Sequence, residues 1–266
     1  MRLRAFRPNL CNVHELLARS LQNMGRRVEA LALCEEALPV GRRVLKKDSG
    51  VLLALEENRA LALSKSGKHA EAAEVLEHLI EVQERSPDYG PTYLDTWSSR
   101  SALGYVLVEM GKFSEAIPLL RDSLAAYDDM GLGPQHSHLG IVPHDYARAL
   151  AGAGRPAEVE PLFLRSIAFY ESKHGVHHFC IPYLLIDLAE ALGQMGHGFG
   201  ERLSILDRAV TIRELSVGRD PDEDAELRAK ALQACAQCYG RRASSTRRRR
   251  GGPSALQLSR RQDAGS

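Results

Sequence analysis

The stretch MGKFSEA, residues 110–116, decides the fold because the same order of residues returns four more times along the chain. In each copy a Gly is followed by a basic residue and then, after a short gap, by Glu. The other copies occupy residues 24–30, 66–72, 153–159 and 195–202, the last with one extra residue. Self-similarity at a fixed period is the sequence signature of repeat architectures.

The repeat length follows from these glycines. They lie at positions 25, 67, 111, 154 and 196, so that successive copies are 42, 44, 43 and 42 residues apart. Gly240 continues the series after another 44 residues. A unit of this length has room for two helices and their turns.

The residues around each glycine predict an antiparallel helical hairpin. Seven positions before the Gly stands a small residue and four before it a Leu, which places both on one face of a first helix. We expect the Gly to end that helix in the left-handed conformation, the basic residue to face the helix's negative end, and the Glu to enter the first turn of a second helix. The small residues are Ala18, Ala60, Gly104, Ala147 and Ala189, and the core residues nine after the Gly are Cys34, Leu76, Leu120, Phe163 and, once the insertion is counted, Leu206.

This pattern resembles the tetratricopeptide repeat, and its period resembles the kinesin-light-chain-like subclass found in bacterial signalling proteins. The turns 133–136 and 175–178 carry the Gly-x-x-His of that subclass, and His136 and His178 precede the next repeat Gly by the same interval. The resemblance implies an all-α fold, a right-handed α-solenoid of five helical hairpins plus a C-terminal capping helix. After a lead-in at 1–9, the array would span 10–239, with units at about 10–48, 49–90, 91–133, 134–176 and 177–219, a partial unit at 220–239, and an Arg-rich tail at 240–266.

The resemblance also implies where a partner binds. In a tetratricopeptide array the first helices line a concave groove, and the family's ligand-facing positions precede each Gly. Carried over to this chain, with Tyr105 and Tyr183 as aromatic anchors, the groove residues are Glu15, Arg19, Asn23, Glu57, Asn58, Lys65, Ser101, Tyr105, Glu109, His144, Asp145, Arg148, Tyr183, Asp187, Glu190 and Gln194.

A polar, mixed-charge groove favours a protein-interaction scaffold that binds a peptide or helix of a partner protein. The alternative for the same residues is a solvated face without a partner. We expect no enzyme and no cofactor, since no nucleophile, base and orienting group share a motif. The chain lacks an apolar stretch long enough for a signal peptide or a membrane span, which predicts a cytoplasmic protein without membrane contact. An unfinished last repeat leaves apolar surface exposed, so we expect a monomer or a weak dimer that pairs through the C-terminal end.

The charge distribution offers a second function. The chain's net charge of +1 combines a tail of +7, with eight Arg against one Asp in residues 240–266, and a remainder of −6. Arg247, Arg248, Arg249 and Arg250 would suit phosphates, so nucleic-acid or other polyanion binding through the tail is the alternative function. A solvated, disordered basic tail is the favoured interpretation.

Two clusters of potential metal ligands are explained more simply by the repeat. The histidines between His136 and His178, with Cys180, contain two that belong to the turn motif, and a structural zinc site needs four ligands. Cys235 and Cys238 have the spacing of a redox or zinc pair but fall in a predicted helix. We therefore predict no metal.

Two prolines occupy the same repeat position, seven residues after the Gly. Pro118 and Pro161 fall inside the predicted second helices of the third and fourth units. Because Pro removes a backbone hydrogen bond inside a helix, we expect a bend in both helices.

Overall fold

The computed structural model describes residues 3–24, 26–134 and 136–215. The predicted capping helix with its partial unit 220–239, Cys235 and Cys238, and the tail with Arg247–Arg250 lie outside the described residues. The structure divides into two compact units, the first ending at Phe169 and the second beginning at Tyr170.

The described residues form ten α-helices and one 3-10 turn. In chain order they are α1 (Leu3–Asn23), α2 (Arg27–Val44), α3 (Gly50–Lys65), α4 (His69–Arg85), α5 (Leu94–Glu109), α6 (Phe113–Asp129), α7 (His138–Gly152), the turn Pro156–Glu158, α8 (Glu160–His174), α9 (Ile181–Gln194) and α10 (Phe199–Leu215). Consecutive helices pack as hairpins, which confirms the all-α class and the five predicted hairpins.

At four of the five hairpin turns the glycine ends the first helix as predicted, and Gly25 of the first turn lies outside the described residues. Gly67, Gly111, Gly154 and Gly196 have φ angles of 82°, 73°, 76° and 81°. At Gly111 the backbone N–H of Lys112 donates to the Leu107 carbonyl at 2.9 Å, and that of Gly111 donates to the Val108 carbonyl at 3.0 Å. This pair of bonds is a Schellman motif, which satisfies the last carbonyls of the first helix.

Within a hairpin the two helices approach where the small residue lies. Ala18, Ala60, Ala147 and Ala189 are fully buried. In the third hairpin a Cβ added to Gly104 would stand 2.6 Å from Cγ of Leu120, the residue nine after the Gly. The small residue therefore gives the larger side chain of the second helix its space, as the sequence predicts.

In the first compact unit the hairpins stack in register. The first helices α1, α3, α5 and α7 contact one another in sequence order, and each second helix contacts the next first helix. One apolar cluster runs through this stack from Leu53 to Ala149. The first helices consequently form a row of neighbours.

The second compact unit contains the hairpin of α9 and α10. Arg202 of α10 is buried and its Nε donates to the Ala189 carbonyl at 2.9 Å. Its guanidinium lies over Gly193, where an added Cβ would come within 2.5 Å of the Arg202 Cζ. None of the helices in the described residues is long and apolar enough to cross a membrane.

The basic residue and the Glu of the repeat motif pair with each other, which the sequence analysis did not anticipate. Arg26 bridges Glu29 at 2.6 Å, and Arg155 bridges Glu158 at 2.7 Å. Lys68 with Glu71 and Lys112 with Glu115 show longer contacts at the same spacing. Because these pairs are exposed to solvent, each contributes little to the free energy of unfolding.

The predicted bend at Pro161 was wrong, because Pro161 does not lie in the interior of a helix. The second helix of the fourth hairpin is interrupted after the turn Pro156–Glu158 and begins anew at Glu160, so Pro161 lies in its first turn. The first four N–H groups of a helix have no intrahelical acceptor, and Pro costs no hydrogen bond there. Pro118 does lie inside a second helix, α6.

We expect Gly111→Ala to lower the free energy of unfolding by about 1–2 kcal/mol, because a Cβ is disfavoured in the left-handed conformation. Gly111 adopts that conformation, with a φ of 73°. Urea unfolding measures the change. Gly133→Ala is the matched control, since Gly133 has no positive φ and open space where its Cβ would stand. An equal effect of the two substitutions would contradict this account.

Candidate partner-binding groove

The row of first helices in the first compact unit holds most of the residues predicted to line a groove. They stand on α1, α3, α5 and α7, four helices that are neighbours although equivalent positions lie a whole repeat apart in sequence. Their side chains fall into two polar clusters. One joins α1, α3 and α5, and the other joins α3, α5 and α7.

The first cluster is centred on carboxylates. Glu15 accepts a hydrogen bond from the amide of Asn58 at 3.5 Å and forms an ion pair with Arg19 of its own helix, also at 3.5 Å. Gln22, which the sequence analysis missed, donates from Nε2 to the Asn58 carbonyl at 2.6 Å. The Arg19 side chain remains 59% exposed, while Asn58 is buried. Arg19 is thus the part of this network that reaches solvent.

Glu57 is the most perturbed group of the first cluster. The hydroxyl of Ser98, another residue that the sequence analysis missed, donates to Glu57 Oε1 at 2.7 Å. Burial raises the pKa of Glu57 to about 7, opposed by the Ser98 bond and reinforced by the nearby carboxylates of Asp95 and Glu15. The groove therefore contains a carboxyl group that changes charge near neutral pH.

The second cluster combines cations with an aromatic ring. The Lys65 ammonium lies 4.6 Å from the ring centroid of Tyr105, which makes a cation–π contact between α3 and α5. Arg148 of α7 donates from Nη1 to Glu109 Oε1 of α5 at 2.8 Å. Asp145 is buried beneath them, and burial raises its pKa against the opposing effect of His144, Arg148 and Lys65.

Not every predicted residue presents its side chain to solvent. Ser101 is buried, donates to the Ser98 carbonyl at 2.9 Å and stands 3.4 Å from the Tyr127 hydroxyl of α6. His144 packs its ring 5.8 Å from that of Phe163. These side chains, like those of Asn58 and Asp145, pack against neighbouring helices below the exposed face of the row. Asn23 is the last residue of α1.

The four predicted residues of the fifth unit lie on α9, in the second compact unit. Tyr183 and Asp187 are partly buried, and Glu190 and Gln194 are exposed. All four therefore share one helix.

The histidines at the repeat boundaries stack on aromatic rings. His138 lies parallel to Tyr127 at 4.8 Å and to His136 at 5.1 Å, and in the second unit His178 stacks on His174 at 4.4 Å and on Tyr170 at 5.4 Å. Burial, with His136 beside it, lowers the pKa of His138 to about 4. Within the described ranges, no three His, Cys, Asp or Glu residues are placed to hold a metal ion.

Comparison with known families matches this architecture. Two overlapping segments, residues 9–85 and 51–129, match the family described as Tetratricopeptide repeat. Over residues 9–129 the chain belongs to the tetratricopeptide repeat family. Its kinesin-light-chain-like character, expected from the repeat length and the Gly-x-x-His turns, agrees with the solved structures that it resembles.

Three solved structures share the fold of this tetratricopeptide repeat protein. The nearly identical TPR-like repeats of a Podosopora anserina protein named as a kinesin light chain match with a TM-score of 0.57 and 23% identity, over 78% of this chain and 97% of that one. BtubC (BKLC) from P. vanneervenii gives 0.63 and 19%, over 83% and 87%. PlcR of Bacillus thuringiensis, in complex with the peptide PapR7 and DNA, gives 0.62 and 14%, over 84% and 73%. Comparison with the curated proteins gave no significant match.

We expect Glu57→Gln to stabilise the tetratricopeptide repeat protein at pH 8 by about 2 kcal/mol. The folded pKa of Glu57, about 7, lies above its ordinary value of 4.5. The folded state therefore binds the extra proton and loses stability as pH rises between these values. The variant with a neutral amide at position 57 does not lose stability in this way, and the amide oxygen can still accept the hydrogen bond from Ser98.

Urea unfolding of both proteins at pH 5 and pH 8 measures this difference. The difference in free energy of unfolding between Glu57→Gln and the wild-type protein should be small at pH 5 and reach its full value at pH 8. Glu81→Gln alters a well-exposed carboxyl of α4 and serves as the control. Equal pH dependence in Glu57→Gln and the wild-type protein would exclude a raised pKa at Glu57.

Proposed function

We propose that the row of first helices α1, α3, α5 and α7 binds an extended peptide or a helix of a partner protein, and that the chain acts as a non-catalytic scaffold. The observation that carries the proposal is the polar network from helix to helix. Each neighbouring pair of first helices is joined by side chains: Asn58 with Glu15, Ser98 with Glu57, Lys65 with Tyr105, and Arg148 with Glu109.

Such a network lowers the cost of binding. A side chain already held by a neighbour loses less conformational freedom when a ligand arrives, and preorganised groups therefore bind more tightly than free ones. Tyr105 fits this role because Lys65 covers its ring and the ring is only partly buried. Aromatic and cationic side chains of this kind are enriched among the residues that dominate binding energy.

The charges of the second cluster indicate which ligand groups it would hold. Lys65 and Arg148 stand on the two helices that flank α5, which carries Tyr105. Arg148 is held by its ion pair with Glu109, and the nearby acid Asp145 is buried. A carboxylate or backbone carbonyl of a peptide would accept hydrogen bonds from both cations. Charge-assisted bonds of this type fix the register of an extended ligand.

The fold comparison supports a peptide ligand. PlcR, which shares the fold, was solved with a bound peptide. Shared fold alone does not set function, and the proposal for this chain therefore depends on its own polar clusters.

The proposal is tested with peptides selected on the full chain from a random display library. The strongest binder, labelled with fluorescein, is titrated by fluorescence anisotropy. We expect Lys65→Glu and Arg148→Glu each to weaken binding by about tenfold, or about 1.4 kcal/mol, because each replaces a cation of the second cluster by a repelling carboxylate.

Arg85→Glu is the matched control, since it makes the same charge change at a side chain of α4 that is 81% exposed. It should leave binding within about twofold. Circular dichroism checks that all three variants remain folded. Equal losses in Arg85→Glu and the groove variants, or a failure to select any peptide, would favour a solvated face over a binding groove.

A further inference from the structure

The first helix carries an apolar stripe on its outer side. Leu10, Val13, Leu17 and Met24, which directly follows the helix, are 49%, 58%, 44% and 59% exposed. In the described part of the chain α1 contacts α2 and α3 alone. We name these four residues the α1 stripe.

Two residues of the stripe occupy repeat positions at which the next first helix meets the preceding hairpin. Leu10 and Val13 correspond in the repeat to Leu52 and Leu55 of the second unit, which are both buried. Leu52 lies against α2, where an added Cβ at Gly41 would be 3.2 Å from its Cδ1. The exposed stripe therefore resembles an apolar interface that already packs one hairpin against the next inside the array.

The spacing of the stripe indicates what covers it. Positions 10, 13, 17 and 24 follow the a and d places of a heptad, in which position 20 is Ser. A seam that repeats every 3.5 residues packs against another helix at a shallow angle of about 20°. At 21 residues, α1 is also the longest helix among the described residues.

We infer that α1 pairs with α1 of a second copy of this chain, antiparallel, through the α1 stripe. With a two-fold axis near Val13, Leu10 of one copy faces Leu17 of the other, and the two Val13 side chains lie beside the axis. Leu10, Val13 and Leu17 then form their own complement, as an isologous interface requires, while Met24 lies beyond this paired part of the seam.

Charge selects the antiparallel direction. Arg4 and Arg7 stand near the start of α1, and the first acidic residue of the chain is Glu15. A parallel pair would bring the arginines of both copies together at one end, where like charges repel. The antiparallel pair places them at opposite ends.

The exposed area suits a weak dimer. Leu16 of the same helix and Val28 of α2 are 51% and 77% exposed as well. Together these residues present roughly 500 Å² of apolar surface, the size of the largest patches on monomers. Two copies would bury at most about 1,000 Å² of this surface, which is below the roughly 1,200 Å² at which stable complexes begin and is typical of a weak dimer. Glu15 and Arg19 lie nearly half a turn around α1 from the stripe, so the groove would stay open in the dimer.

Sedimentation equilibrium of the full chain tests the pairing. We expect a monomer–dimer equilibrium in which the double variant Leu10→Glu/Leu17→Glu raises the dissociation constant by about a hundredfold or more, because two unpaired charges would be buried in each half of the seam. Leu164→Glu changes an equally exposed Leu of α8. It should leave the dissociation constant within about twofold.

The direction of pairing is tested by cysteine cross-linking under mild oxidation. Leu10→Cys mixed with Leu17→Cys should give a covalent dimer of one copy of each, while either variant alone should give no more than the wild-type protein. Self-cross-linking of Leu10→Cys would overturn the antiparallel arrangement. A protein that is monomeric throughout the micromolar range with its helix content intact, or a dimer that survives Leu10→Glu/Leu17→Glu, would overturn the proposal itself.

Discussion

The close approach of the two helices in each hairpin is the constraint on which the remaining structure depends. Ala18, Ala60, Ala147 and Ala189 are fully buried, and at Gly104 even one added methyl group would meet the Leu120 side chain. A larger residue at these places would push the second helix outward. Since each second helix of the first compact unit also packs on the next first helix, the spacing of one hairpin sets the spacing of its neighbours.

That spacing places distant residues within hydrogen-bonding reach. Ser98 and Glu57 are 41 residues apart in sequence, and Arg148 and Glu109 are 39 apart, yet both pairs bond directly. A stack in register brings equivalent positions together at each step. The polar face is consequently ordered by the apolar core beneath it, and its side chains are held by one another before any ligand arrives.

Hairpins could be predicted from the sequence because their signals are local. The Gly that ends each first helix, the small residue before it and the core residue after it all lie within a single repeat. The prediction for Pro161 was wrong because the helix breaks at the turn Pro156–Glu158 and a new helix begins at Glu160. Pro is equally compatible with a helix start.

The candidate groove was predicted only as a set of positions. Helical spacing placed Ser101 and Asp145 on the same helices as Tyr105 and Arg148, but spacing does not say which side chains are covered by the neighbouring unit. Ser98, Gln22 and the raised pKa of Glu57 also depend on contacts between units, and no residue pattern within one unit reports them.

The sequence by itself determined the repeat, the hairpin and the position of each chain reversal, since these follow from side-chain size and backbone freedom within a few turns of helix. Only the tertiary structure decided which polar side chains are paired, which are buried, and that the outer side of α1 lacks a cover within the described residues. Burial is a property of the space between helices, and that space is fixed by residues of successive repeats acting together.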